Sequence, residues 1–296
     1  MKVYINGKFV DENDATISVF DRGFMYGDGV FETLAVYNST IFRLTEHLIR
    51  LKNSLSLLYI DINCSDLELQ DILYQALNNN NITNGILRLS ITRGVGLRGL
   101  DIANCLNPTI VVISYNIKEF PVEVRKNGVP VIISSVVKNH KRSVDPTIKS
   151  NNFISNIMAF KEASNLNAVE AIQLNSDFHV AEGTTSNIFL VKNGVVLTPD
   201  LSTGILSGVT RQIVIDLCKA IKLPIKETTI KKHEIIEADE IFYTNSIAGI
   251  IHVKSIQDCT DNNKTYQFMS EQKNISGILY ENYKELIKLE TGNYWG

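Results

Sequence analysis

Apolar residues recur along this chain at two periods, and the change from one to the other marks out its elements. Val3 and Ile5 precede Asn6-Gly7, and Phe9 and Val10 follow. Asn-Gly supplies the positive φ angles of a two-residue loop, so the start is predicted to be a hairpin. A loop and a short strand follow between Asp21 and Tyr37. Over Thr45 to Leu58 the spacing becomes three and four, at Leu48, Leu51, Leu55 and Leu58, which predicts an amphipathic helix with Thr45 as its N-cap. A second helix is predicted from Leu67 to Leu77, ending at the Asn78 to Asn81 run, because asparagine competes for backbone hydrogen bonds.

Strand patterns occupy Ile86 to Thr92 and Thr109 to Tyr115, and the stretch from Arg93 to Gly99 between them is too glycine-rich for regular structure. It is a candidate binding loop. The polar residues around Pro121 read as a linker over 118–125, dividing a small domain at 1–117 from a larger one at 126–296. The larger part opens with a strand from Val129 to Lys138 and a helix near Asn152 to Ser164. Short strands separated by turns follow, Asn193-Gly194 among the turns. Gly208 opens a further helix with Ile213, Leu217 and Ile221 on one face. No internal repeat is present.

Composition narrows the function. With 44% hydrophobic and 21% charged residues the chain has the make-up of an ordinary globular protein, and 296 residues suffice for two cores. The formal net charge of -3 is spread along the whole length, without the clustered basic face that nucleic acid requires. The basic run from Lys138 to Arg142 is short and interrupted, and reads as a solvated loop that an anionic ligand could use. Cys64, Cys105, Cys218 and Cys259 lie far apart, which suggests neither a disulfide framework nor a zinc site and fits a reducing cytoplasm. The first residues lack an apolar signal core, and no stretch reaches the ~20 apolar residues of a membrane helix.

One lysine stands in a telling order of motifs. Lys149 precedes a helix, then Glu182-Gly183-Thr184-Thr185-Ser186-Asn187, then Gly204-Ile205-Leu206-Ser207-Gly208-Val209-Thr210-Arg211. Ahead of it stand Asp21-Arg22-Gly23-Phe24-Met25-Tyr26-Gly27-Asp28-Gly29-Val30-Phe31-Glu32-Thr33 and Glu46-His47-Leu48-Ile49-Arg50-Leu51. Over nearly its whole length the chain resembles the class IV enzymes dependent on pyridoxal 5′-phosphate (PLP), which include branched-chain and D-amino-acid aminotransferases and aminodeoxychorismate lyases. The resemblance implies a mixed α/β fold of two domains, a small N-terminal α/β domain and a larger C-terminal pseudo-barrel domain. It also implies a homodimer.

The same resemblance implies roles. Lys149 matches the Schiff-base lysine, an amine that attacks an aldehyde only when unprotonated. Glu182 matches the carboxylate facing the pyridine nitrogen, which keeps that nitrogen protonated. Arg50 matches the arginine that grips the cofactor's phosphate. Gly208, Val209 and Thr210 offer it the free N–H groups of a helix start, and Thr244 stands in a nearby loop. Phe31 matches an aromatic position lining the substrate pocket, and Arg98 one that holds a carboxylate at the neighbouring subunit's site. The departures are Phe153 where many members carry tyrosine, Ala35 where branched-chain enzymes carry arginine, and Leu100 where D-amino-acid enzymes carry histidine. The expected reaction passes an amino group between an amino acid, branched-chain or otherwise apolar, and a 2-oxo acid such as 2-oxoglutarate. The alternatives are an aminodeoxychorismate lyase and a D-amino-acid aminotransferase.

Overall fold

In the computed structural model, Asn6 (φ 45°) and Gly7 (φ 90°) turn the chain between strands β1 (Lys2–Ile5) and β2 (Lys8–Asp11). These are the paired left-handed conformations that the shortest hairpins need. The structure describes residues 1–97, 99–105, 107–117, 122–268 and 274–292, with the backbone alone for Val122 and Lys126. The chain forms two units. One holds Met1–Lys118, Ile148–Asn152 and Ile287–Trp295; the other holds Glu119–Thr147, Phe153–Leu286 and Gly296.

Besides the hairpin, the first unit contains α1 (Arg22–Tyr26), β3 (Gly29–Tyr37), β4 (Thr40–Ile41), α2 (Leu44–Leu57), α3 (Asp66–Asn79), β5 (Gly85–Thr92) and β6 (Thr109–Asn116). Its sheet runs β2-β1-β6-β5-β3-β4, antiparallel throughout. Leu48, Leu51 and Leu55 of α2 and Leu69, Leu73 and Leu77 of α3 pack on Leu34, Leu87 and Leu89 in one core. Burying each such side chain is worth roughly 1.5–3 kcal/mol. The predicted cap of α2 is corrected. The N-cap is Arg43, in the left-handed region at φ 55°, and Thr45 lies inside the first turn. Arg43 donates forward to Glu46 instead of leaving the cap to a hydroxyl. α3 starts one residue earlier than predicted because Ser65 and Glu68 close a capping box, each side chain bonding the other's backbone N–H.

Residues 118–121 of the expected linker lie outside the described residues, and Val122–Asn127 forms α4. The second unit continues through β7 (Val129–Ile133), α5 (Ile154–Asn165), β8 (Glu170–Leu174), β9 (Val180–Gly183), β10 (Asn187–Lys192) and β11 (Val195–Pro199). It is completed by α6 (Val209–Ala220), β12 (Ile225–Thr228), α7 (Lys232–Ile236), β13 (Glu240–Asn245), β14 (Gly249–Asp258), β15 (Lys264–Gln267) and α8 (Ile275–Thr291). Among the described residues its strand order is β12-β11-β10-β13-β14-β7-β8-β9, with β15 on β14. Alternate residues of strands far apart in that order, Val180 of β9, Ile133 of β7, Ile251 of β14 and Ile188 of β10, meet in a single core. A sheet delivers side chains from strands as far apart in its order as β9 and β10 to one interior only by curling on itself, as the pseudo-barrel expectation requires. No helix among the described residues is long and apolar enough to cross a membrane.

Candidate active site

In the first unit the site begins with the alternation of β3. Val30, Leu34 and Val36 enter the core beneath α2, and Glu32 shares their face, which leaves it fully buried. Such a carboxylate needs partners. They come from α2, where His47, Arg50 and Ser54 at spacings of three and four share a face. Arg50 donates from Nε to Glu32 Oε1 at 2.7 Å and from Nη2 to Oε2 at 2.7 Å, while His47 Nδ1 lies 2.8 Å from Oε2. Burial pushes the Glu32 carboxyl upward, but the Arg50 charge and the hydrogen bonds outweigh it and hold Glu32 well below the ordinary carboxylate range. For His47, burial lowers the value from 6.5; Glu32 opposes this, and the charges of Arg50 and Lys149 add to the fall.

The opposite face of the same strand carries Phe31. Because β4 pairs only with Val36 and Tyr37, the start of β3 is open, and the Lys149 segment fills it. Phe31 N donates to Lys149 O at 3.0 Å and Asn151 N to Gly29 O at 2.9 Å, with Lys149 N on Ser54 Oγ at 3.2 Å. With its backbone thus fixed, Lys149 places Nζ 4.5 Å from the centre of the Phe31 ring. The Arg88 guanidinium of β5 lies 3.9 Å from that centre. Arg88 is half-buried, makes no ion pair or hydrogen bond among the described residues, and is lowered by burial. Sequence reading missed it; knowing that β5 pairs with β3, with Thr33 opposite Arg88, would have put it on the Phe31 face.

Arg98 lies outside the described residues. The loop around it is tied down on both sides. Arg22 donates to Gly99 O at 2.8 Å, and Arg22 and Arg93 share the Asp28 carboxylate, with Arg93 also reaching Leu58 O and Tyr59 O.

The second unit brings together Glu182, Gly208, Val209, Thr210 and Thr244. Glu182, at the end of β9, accepts from Leu206 N at 2.9 Å and from Asn187 Nδ2 at 3.2 Å through Oε2, and from Lys138 Nζ at 2.8 Å through Oε1. Lys138 was expected in a solvated loop; the structure corrects this, with Lys138 buried while His140, Lys141 and Arg142 are exposed. Asn187 also presses on Gly208, where an added Cβ would stand 1.9 Å from Asn187 Oδ1. Gly208 is the N-cap of α6 and has no side chain to cap the helix, so the N–H groups of its first turn remain for a ligand. Thr210 is buried in that turn. Thr244, paired with Asn187 across β13 and β10, is buried with its Oγ1 lacking a hydrogen-bond partner among the described residues. An orphaned hydroxyl and an uncapped helix start fit an anion such as a phosphate.

Glu170 was also missed. It is buried at the head of β8, and its carboxylate accepts from Thr184 N at 2.8 Å and Ser186 Oγ at 2.8 Å and from the Thr184 and Thr185 hydroxyls, holding the turn that follows Glu182. A carboxylate at the head of a strand with Ala171, Ile172 and Leu174 was the available signal.

A lysine amine set on an aromatic face and a braced arginine in one unit, with a buried carboxylate and an open helix start in the other, are the parts of an amino-transferring enzyme. The chain belongs to the class IV aminotransferase family: the model of that family, described as Amino-transferase class IV, matches residues 29–256. It is 40% identical over 264 residues, 89% of this chain and 91% of the relative, to a putative branched-chain-amino-acid aminotransferase of Methanocaldococcus jannaschii. It is 35% identical to a D-alanine aminotransferase of Bacillus licheniformis, covering 88% of this chain and 90% of that one. An aminodeoxychorismate lyase of Bacillus subtilis is 33% identical, covering 99% of this chain and 98% of the lyase. The fold matches Escherichia coli branched-chain amino acid aminotransferase with a TM-score of 0.90 at 24% identity, covering 100% of this chain and 97% of that one. The T.th. branched-chain amino acid aminotransferase complexed with N-(5′-phosphopyridoxyl)-L-glutamate matches with a TM-score of 0.87 at 25% identity, covering 99% and 95%.

Proposed function

We propose that this enzyme uses PLP to pass amino groups between an apolar, branched-chain-type amino acid and 2-oxoglutarate or a similar 2-oxo acid. The observation that carries the reading is the Phe31 ring with Lys149 Nζ at 4.5 Å and Arg88 at 3.9 Å. An amine able to serve as carrier and a half-buried cation in need of an anion both contact one aromatic ring.

Bound PLP supplies an aldehyde that accepts an amine and a ring that takes up electron density. The chain's residues do the rest. Lys149 Nζ would hold the cofactor through that aldehyde and, as a free amine, would carry the proton to and from the substrate α-carbon. In the first unit Arg50, aimed by Glu32, is the arginine for phosphate; in the second unit the first N–H groups of α6 and the hydroxyls of Thr210 and Thr244 offer donors to the same kind of anion. Glu182 would accept the proton-bearing ring nitrogen. Phe31 bounds the substrate pocket and Arg88 takes the distal carboxylate of a dicarboxylic 2-oxo acid, with Arg98 as a second carboxylate site.

We further propose a cytoplasmic homodimer. The thiols of Cys64, Cys105, Cys218 and Cys259 are free. Phe20, Phe24 and Met25 around α1 and Val95, Leu97 and Leu100 of the adjoining loop expose a large apolar surface, the kind that a second copy covers. The test of function is a panel of L- and D-amino acids with 2-oxoglutarate, read as glutamate formed, beside aminodeoxychorismate, read as pyruvate. The reading expects glutamate from apolar L-amino acids; pyruvate from aminodeoxychorismate, or activity confined to D-amino acids, would replace it.

A further inference from the structure

The two oxygens of Glu182 are held by different kinds of donor. Oε2 takes two neutral N–H groups, from Leu206 and Asn187, which fix its direction. Oε1 takes the Lys138 ammonium at 2.8 Å, with both side chains under a tenth exposed. A carboxylate oxygen accepts two hydrogen bonds, so Oε1 retains acceptor capacity beside the lysine. Lys138 is itself anchored, its backbone N–H donating to Leu174 O at 2.8 Å, and it alone turns inward from a run in which His140, Lys141 and Arg142 are exposed. A long, flexible side chain surrenders rotamer freedom to be buried in this way, which a surface role would not require.

We propose that Lys138 is a positioning residue for amino transfer: its ammonium holds Glu182 turned so that this carboxylate would receive the protonated ring nitrogen of the bound cofactor. The inference rests on the reading of Glu182 given above. It makes Lys138 act through Glu182, so the two residues must be energetically coupled when PLP binds.

The test is a double-mutant cycle on the PLP dissociation constant, measured by fluorescence titration of cofactor-free protein, with the rate of the first half-reaction recorded beside it. Lys138→Met weakens PLP about tenfold in the native background and less than about twofold in Glu182→Gln, as groups of one ion-pair network do. Lys138→Arg, which returns a cation, restores affinity to within about threefold of the parent. A Lys138→Met effect of equal size in both backgrounds, or none in either, overturns the proposal, as does failure of arginine to rescue. If Glu182→Gln alone leaves affinity and rate unchanged, the reading of Glu182 is at fault and the proposal goes with it. Should Lys138→Met not fold, as judged by circular dichroism, Lys138→Gln takes its place in the same cycle, keeping a donor and losing the charge.

Discussion

Glu32 and Glu182 are both buried carboxylates, one in each unit, and their surroundings differ in kind. Glu32 meets a two-pronged guanidinium and an imidazole, so its oxygens are committed to its neighbours. Glu182 meets one ammonium and two neutral N–H groups, and the hydroxyl of Thr244 across from Asn187 is left without a partner among the described residues. The first arrangement is a brace that aims an arginine; the second leaves a carboxylate oxygen with acceptor capacity to spare. A buried charge therefore marks a ligand site less by its presence than by what its partners leave unused.

This contrast is open to attack from its most costly side first. Arg50→Met strands the Glu32 charge, and removing one partner of a buried pair costs roughly 3–5 kcal/mol, so a urea denaturation curve should show a loss of that order as well as weaker PLP binding. A stable variant with unchanged PLP affinity would reduce the brace to an accident of packing. At saturating PLP, Glu182→Gln should leave a folded, loaded protein whose half-reaction slows about 10²–10³-fold, the scale on which a preorganised charge partner contributes. Near-normal rates there would place Glu182 in the same class as Glu32. Arg88→Ala should raise KM for 2-oxoglutarate by roughly ten- to hundredfold, equivalent to about 1.5–3 kcal/mol for a hydrogen bond to a charged group, and leave monocarboxylic 2-oxo acids little affected. An equal change for both kinds of acid would move Arg88 away from the distal carboxylate.

The smallest effect concerns pH. The His47 value in the folded chain lies below 6.5, so between the folded value and 6.5 the unfolded chain binds the proton more readily. The stability that His47 contributes is complete above about pH 6.5 and is lost as pH falls through the folded value. Denaturation midpoints should decline on that side, and His47→Gln should flatten the decline. A slope unchanged in that variant would assign the effect to other groups.

Local chemistry was legible in the sequence and non-local chemistry was not. Asn6-Gly7 and Asn193-Gly194 specify their hairpins by their own φ preferences. The buried lysine was misread because what turns Lys138 inward is its backbone bond to Leu174, thirty-odd residues away, while the run around it has the composition of a surface loop. Glu170 and Arg88 escaped for the same reason, since their partners lie on neighbouring strands or turns that pairing alone brings near. The motif order around Lys149 compensated for this at several positions. It singled out Arg50 without revealing that Glu32 would hold it still.

One amine carries the proposed chemistry. Borohydride reduction of the PLP-loaded enzyme, followed by digestion and mass spectrometry, fixes the cofactor to whichever lysine holds it. A pyridoxyl adduct on the peptide containing Lys149, and its loss in Lys149→Ala protein that keeps its circular dichroism spectrum, is the predicted result. An adduct on the buried Lys138 or on any other lysine, or the same adduct yield from Lys149→Ala, would contradict it.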